Sequence, residues 1–310
     1  MKIHRNFEEL GDIHHPVVTT GSFDGVHIGH KTILERLRRI ADEIGGETVL
    51  ITFHPHPRKV LYPDTAGKSL KLICTQREKI ELLSKTGLDH LIIVEFSLEF
   101  SRITSYEFVE NILVGKLNAR CIIVGFNHHF GHNRQGDYAY LYELARSHDF
   151  DVEEIPEQDV ENETVSSTTI RKALHEGRIQ RANAYLDHFY IMMGPLKDGH
   201  PACKDAGFPT YELVVEESVK LIPSEGVYAV SLIFEHHKYR GMLNVKNFDD
   251  RQEVSVEVHL FDHDHEAELR GKIVTVQFHK RMRNEMHLEN PDALKKQLWH
   301  DKSVIEELIY

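Results

Sequence analysis

The segment Gly21 to His30, GSFDGVHIGH, gathers residue types that handle phosphate. Ahead of it, Val17 to Thr20 is β-branched and reads as a buried strand. Behind it, Lys31 to Ile44 carries Ile33, Leu34, Leu37, Ile40, Ala41 and Ile44 at helical spacing. The order is therefore strand, glycine turn, helix. Gly21, Gly25 and Gly29 let backbone approach a ligand closely, and the helix N-terminus offers N–H groups to phosphate oxygens. His27 and His30 stand three apart on the first turn, so both can project toward one phosphate chain. Such a constellation suits the binding of a nucleotide phosphate chain.

The elements around it have to bring this turn to a ligand. Thr48 to Phe53 reads as a second strand, stopped by His54-Pro55-His56-Pro57. Thr75 opens a helix with Glu78 at capping-box spacing, and Gly87 ends it. Leu91 to Phe96 and Cys121 to Val124 are further strands, with a helix over Ser105 to Leu117 between them. A helix over Tyr138 to His148 and a short strand near Val152 to Ile155 follow. Strands alternating with helices imply βαβ units and a doubly wound parallel sheet, whose ligands sit at the carboxyl ends of the strands. Gly21–His30, His54–Arg58 and Gly125–Gly131 each follow such an end.

From about residue 190 the texture turns to β: Val227 to Phe234, Tyr239 to Val245, Val254 to Phe261 and Lys272 to Lys280. This predicts an antiparallel barrel or sandwich, closed by an amphipathic helix over Pro291 to Leu308. Val165 to Leu186 lies between the halves and is helical after Thr168. A length of 310 residues fits two domains.

Composition excludes several classes. A formal net charge of -12 leaves no broad basic face for nucleic acid, although a small nucleotide site needs only a few aimed donors. No apolar run approaches a membrane span, and the polar start argues against a secretory signal. Cys74, Cys121 and Cys203 are few and widely spaced, which suits a reducing cytoplasm. The 23 histidines include HPHP at 54–57, HH at 128–129 and DHDH at 262–265, but none shows the paired spacing of a zinc site.

GSFDGVHIGH resembles the signature of the bacterial bifunctional riboflavin kinase/FMN adenylyltransferases, or FAD synthetases; its HxGH core belongs more widely to nucleotidylyltransferases. Four further segments resemble the same family in the expected order: TFHPHP from Thr52, the helix start at Thr104, Glu107 and Phe108, VGFNHHFGHNRQGD from Val124, and VSSTTIR from Val165. The resemblance implies a Rossmann-like nucleotidylyltransferase domain over 1–186 and a riboflavin-kinase-like antiparallel β-barrel with a C-terminal helix over 187–310. It implies adenylyl transfer from ATP to FMN. Because the attacking FMN phosphate is already anionic, catalysis is mainly positioning and charge neutralisation. His27 and His30 would donate to the phosphates. Gly21, Ser22, Phe23, Asp24, Gly25 and Gly29 would line the nucleotide, and Ser166, Ser167, Thr168 and Arg171 would hold pyrophosphate. Asn127 and Asp24 would meet substrate or the nucleotide sugar. His56, Arg283 and Glu285 join the implied flavin or substrate contacts. Asp137 also suits a plain helix cap, and His54 and His56 suit a surface loop.

In the second half, GFPT (Gly207 to Thr210), GVYAV (Gly226 to Val230), Asn244, VEVHLFD (Val256 to Asp262), RGK (Arg270 to Lys272) and KRMRNEM (Lys280 to Met286) resemble the riboflavin kinase domain. The resemblance makes Glu257 the base that takes the riboflavin 5′-hydroxyl proton, with Thr210 helping to hold magnesium and ATP. An outward-facing strand residue is the plain alternative for Glu257, since it alternates with Val256 and Val258. Three departures converge on this ATP site. Tyr211 and Glu212 follow the threonine, Pro201, Ala202 and Cys203 occupy an otherwise glycine-rich loop, and VKNFDDRQE follows the strand at Asn244. They set a second reading beside the first: FAD synthesis alone, with the barrel a degenerate or regulatory flavin-binding module. A nonenzymatic flavin sensor and a transferase acting on another phosphate are the remaining rivals.

Overall fold

The computed structural model describes residues 1–126, 128–205, 207–248, 253–261, 269–286 and 290–308. They form two compact units, 1–71 with 79–166, and 72–78 with 167–310.

In the first unit the elements are β1 (Lys2–His4), β2 (Val17–Thr20), α1 (Ile28–Ile44), β3 (Thr48–His54), α2 (Pro57–Leu61), α3 (Gln76–Ser84), β4 (His90–Glu95), α4 (Ser105–Glu107), β5 (Cys121–Gly125), α5 (Tyr138–Ala145) and β6 (Asp151–Ile155). The first three residues of α3 count with the second unit. All six strands are parallel, in the order β1-β4-β3-β2-β5-β6. Two-residue periodicity sorts their side chains into two cores. Val17, Leu50, Leu91 and Ile123 pack on one face with Leu34, Leu37 and Ala41 of α1. Val18, Ile51, Ile92 and Ile122 pack on the other with Val109, Ile112 and Leu113.

Local chemistry explains the element ends. Thr104 and Glu107 close a reciprocal capping box at the start of α4. The expected helix over 105–117 then widens to a π-helix at Phe108–Val114, where the Gly115 N–H reaches the Glu110 carbonyl five residues back. Asp137 caps α5 by accepting the Tyr140 N–H at 2.9 Å. That helix stops at Ala145, one turn short of His148. Strand β1, three residues at the sheet edge, had no signal in the sequence.

A short hairpin, β7 (Asp159–Val160) with β8 (Glu163–Thr164), precedes the second unit. There follow α6 (Ser167–His175), α7 (Ile179–Leu186), β9 (Tyr190–Asp198), α8 (Pro201–Asp205), β10 (Tyr211–Leu213), β11 (Gly226–Phe234), β12 (His237–Phe248), β13 (Glu253–Leu260), β14 (Ile273–Arg283) and α9 (Pro291–Leu308). Six antiparallel strands close a barrel in the order β10-β13-β12-β11-β14-β9. Strands β9 and β10 were not foreseen, and they complete the closure. Val227, Ala229 and Met242 on the outer barrel face pack with Ile305 and Leu298 of α9.

Within this unit a fully buried ion pair joins distant parts of the chain. Lys220 Nζ donates to Glu78 Oε2 at 2.6 Å and to the carbonyls of Ile73 and Ile191 at 2.7 and 2.8 Å. Glu78 Oε1 accepts the Met193 N–H, and Oε2 accepts the Thr75 N–H, both at 2.8 Å. Burial opposes the charge on Lys220, but the Glu78 carboxylate together with Tyr190 and Cys74 outweighs it and raises the lysine pKa. Removing one partner strands the other. Lys220→Met is expected to destabilise the second unit by ~3–5 kcal/mol. A lower urea midpoint in the fluorescence of Trp299, the single tryptophan, would show it.

Candidate active sites

Strand β2 delivers the chain to Gly21, whose N–H closes onto the Ile51 carbonyl at 3.0 Å. In the turn that follows, Phe23 (φ 48°), Gly25 (φ 89°) and Val26 (φ 44°) all take left-handed backbone. Glycine adopts this freely, whereas it costs Phe23 and Val26 on the order of 1–3 kcal/mol each. Their side chains, 2% and 1% exposed, anchor the turn in the core beneath α1. Gly29 has a packing role, since a Cβ there would lie 3.3 Å from the His27 ring.

His27 is the N-cap of α1, yet its side chain makes no capping bond. Its ring stacks on His30 at 3.6 Å between centroids, and His30 stacks on Phe23 at 4.4 Å. Burial first, and then the charges of His27 and Lys79, hold the His30 pKa well below 6.5. His30 is therefore a neutral imidazole, and its Nδ1 has no hydrogen-bond partner among the described residues. Lys79, buried on α3, donates to the Ser22 carbonyl and to Thr52 Oγ1, both at 3.1 Å.

Loops after β2, β3, β4 and β5 enclose an adjoining pocket of about 490 Å³. Gly21 and Ser22 form part of its wall. Phe53, Phe96 and Phe100 make an aromatic triangle with centroids 5.6–5.8 Å apart. Arg58 and Arg134 add positive charge, and burial pushes the lining His128 down to about 4. His56 also lines it while capping α2 through the Arg58 N–H at 3.2 Å. An aromatic cleft with a few cations suits a planar ring carrying phosphate. A wider groove of about 710 Å³ lies at the amino ends of β5 and β6, lined by charged pairs such as Arg36–Glu153. Parallel sheets do not present ligands at that end.

In the second unit, strand register assembles another set. Glu257 of β13 stands opposite Glu212 of β10 and Asn244 of β12, and Glu212 stands opposite Lys197 of β9. Opposed residues share a face, here the outer face that also carries Val227 opposite Asn244. Glu257 does face outward, but it meets partners there. Its Oε2 accepts the Thr210 hydroxyl at 3.0 Å and the His200 N–H at 3.4 Å. Phe208 is buried against the cluster under α9, and His259 Nδ1 lies 2.7 Å from the Pro209 carbonyl, so GFPT is held through its two middle residues. A Cβ on Gly199 would sit 2.1 Å from Thr210 Oγ1, so this glycine is required for the close approach. The departures fit around this pair. Glu212 is drawn to Lys197 at 3.0 Å, and residues 201–205 form α8.

Sequence profiles described as FAD synthetase and riboflavin kinase match residues 11–169 and 186–309 respectively. The chain belongs to the bifunctional riboflavin kinase/FMN adenylyltransferase family. A curated member from Listeria monocytogenes is 31% identical over 94% of this chain and 95% of its own. The Escherichia coli K12 member is 29% identical over 94% and 92%. A solved structure titled "Crystal Structure of Macrolide-efflux Protein from Streptococcus pneumoniae" superposes with a TM-score of 0.87 at 28% identity, covering 98% of both chains. Among the described residues, no helix is long and apolar enough to cross a membrane.

In the first unit the structure stacks His27 on His30 at the end of the Gly21–Gly29 turn and places His56 with Gly21 and Ser22 in the pocket wall. Ser166 counts with that unit, and Ser167, Thr168 and Arg171 lie on α6 in the second. Asn127 and the DHDH run fall outside the described residues. Arg283 is engaged by Asp301 of α9, at 2.6 Å to Oδ2. Burial raises the Glu285 pKa, against a hydrogen bond from Asn244. Among the described residues no group of three or more metal-ligating side chains forms. Lys79 and the phenylalanine triangle escaped the sequence reading, although Phe53 and Phe96 fall at strand ends where ligands gather.

The buried histidines set a pH dependence. Their folded pKa lies below the unfolded 6.5, so below that pH the unfolded chain binds more protons and stability falls. For His128 the loss continues down to about 4. Histidine NMR should find both rings unprotonated at pH 6 in the folded protein, with the melting temperature declining between pH 7 and 5.

Proposed function

We propose that the chain makes FAD in two ATP-dependent steps: riboflavin to FMN in the second unit, and FMN to FAD in the first. The observation carrying the second step is the His27–His30 stack at the start of α1, beside an aromatic, cation-bearing pocket. FMN suits that pocket, its ring against Phe53, Phe96 and Phe100 and its phosphate toward the turn. An FMN phosphate oxygen bonds to the α-phosphorus of ATP as the bond to pyrophosphate breaks. His30, and His27 beside it, act by donating to phosphate oxygens, and the α1 N-terminus adds its dipole. The resemblance gives Ser166, Ser167, Thr168 and Arg171 contacts with the nucleotide phosphates, and Asp24 and Asn127 contacts with substrate or sugar.

The kinase step needs a base, because the riboflavin 5′-hydroxyl is neutral. Glu257 takes that proton as the hydroxyl oxygen bonds to the γ-phosphorus and ADP leaves. Thr210 steers the carboxylate, and Glu285 with Asn244 borders the flavin side. The Thr210 hydroxyl and Glu257 carboxylate offer hard oxygen donors, which fit magnesium arriving with ATP. Bound there, magnesium would neutralise phosphate charge, held on the protein side by Thr210. The riboflavin kinase match runs through all three departures, so FAD synthesis alone is not favoured. The riboflavin kinase match begins at residue 186, which supports dividing the two activities at 186/187 along the sequence, and the few, widely spaced cysteines support a cytoplasmic setting.

Incubation with ATP, magnesium and either riboflavin or FMN, followed by separation of the flavins, tests both steps. FMN and then FAD are expected from riboflavin, and FAD from FMN. Glu257→Gln should lower FMN formation by roughly 10²–10⁴-fold and leave FAD formation from FMN intact. FAD from neither substrate would overturn the reading.

A further inference from the structure

Lysine is almost never withdrawn fully from water without a specific partner. Lys79 is only 7% exposed, and two oxygens that its ammonium meets lie at strand ends next to the phosphate turn. One is the carbonyl of Ser22, the residue that enters the left-handed run at Phe23, Gly25 and Val26. The other is Thr52 Oγ1, which itself donates to the Ser22 carbonyl at 3.2 Å. Lys79, Thr52 and Ser22 thus close a three-membered polar ring, and two donors converge on one carbonyl. An apolar side chain of similar length would fill this space without the several kcal/mol that desolvating an ammonium costs. The charge is therefore placed for the site and not for the core.

We propose that Lys79 is a positioning residue for adenylyl transfer, fixing through the Ser22 carbonyl the strained turn that sets His27 and His30 at the start of α1. This rests on FAD synthesis as the activity of the first unit. The ammonium also faces the histidine pair. His30 is surrounded by its own burial, the His27 ring, the Phe23 ring and Lys79, and each charge among them disfavours a proton on it. Burial does most to keep His30 a neutral donor and Lys79 adds to it, so the loss of Lys79 acts on geometry and on protonation together.

The test uses the full-length protein and follows FAD formation from FMN and ATP between pH 5 and 9. Lys79→Met is expected to lower kcat by about tenfold or more, since misplaced catalytic groups cost that much. It should also shift the acidic limb of the kcat profile to higher pH as His30 gains proton affinity. Lys79→Arg, which keeps the charge, should retain the wild-type acidic limb. Thr52→Val keeps shape and charge but removes one side of the ring; it should lower kcat by a few fold without moving the limb. FMN formation from riboflavin serves as the folding control and should stay at the wild-type rate in all three. Should Lys79→Met not fold, wild-type kcat in Thr52→Val overturns the role by itself. Wild-type kcat in both Lys79→Met and Thr52→Val, or an acidic limb that does not move in a folded Lys79→Met, overturns the role of Lys79. A wild-type protein that forms no FAD overturns the activity on which it rests, a separate outcome.

Discussion

Parallel strands end together, and the adenylyl site depends on that alignment. Strand order reverses about β2, with β3 and β4 on one side and β5 and β6 on the other, so the loops after β2 and β5 diverge around a crevice. Much of the proposed site enters at that edge: the Gly21–His30 turn, the loop at His56, the aromatic rings after β3 and β4, and the segment after β5. The strained backbone there is held by two kinds of contact. Apolar anchors at Phe23 and Val26 reach down into the core, and a buried ammonium grips the Ser22 carbonyl.

The second unit solves a different problem. Its closed barrel has no common strand end to serve as a crevice, so its chemistry is written across the strands. Register puts Lys197, Glu212, Glu257 and Asn244 in one row on the outer face, beside the apolar patch that α9 covers. Two carboxylates facing each other, here Glu212 and Glu257, are normally a liability, because like charges opposed on a sheet repel. Here Lys197 takes up Glu212 from the opposite strand, and Glu257 keeps its hydroxyl partner. What looks like damage in the linear sequence is balanced by a residue 15 positions earlier that only barrel closure brings alongside.

This separates what could be read along the chain from what could not. The GSFDGVHIGH turn, the capping boxes at Thr75 and Thr104 and the cap at Asp137 are local, so spacing reveals them. The parallel strands were legible because burial on both faces leaves continuous apolar runs. Lys79 was not: in sequence it is one more charge on an amphipathic helix, and only the fold buries it. The phenylalanine triangle draws its members from two separate segments, one at the end of β3 and one after β4. The π-helix at Phe108–Val114 follows no residue pattern that distinguishes it from an ordinary helix, and β1 and β10, three residues each, are shorter than any periodicity can show.

Residues 72–78 lie deep in the first half of the sequence yet count with the barrel, and Glu78 finds its cation 142 residues further on. Cutting the polypeptide near its midpoint therefore does not cut along the grain of the structure. An amino-terminal fragment would carry away a carboxylate whose counter-ion stayed behind, and a carboxy-terminal fragment would keep an ammonium built into a dry interior with no acid to meet it. Each half would inherit an electrostatic debt from the other, which binds the two catalytic halves to a single gene product.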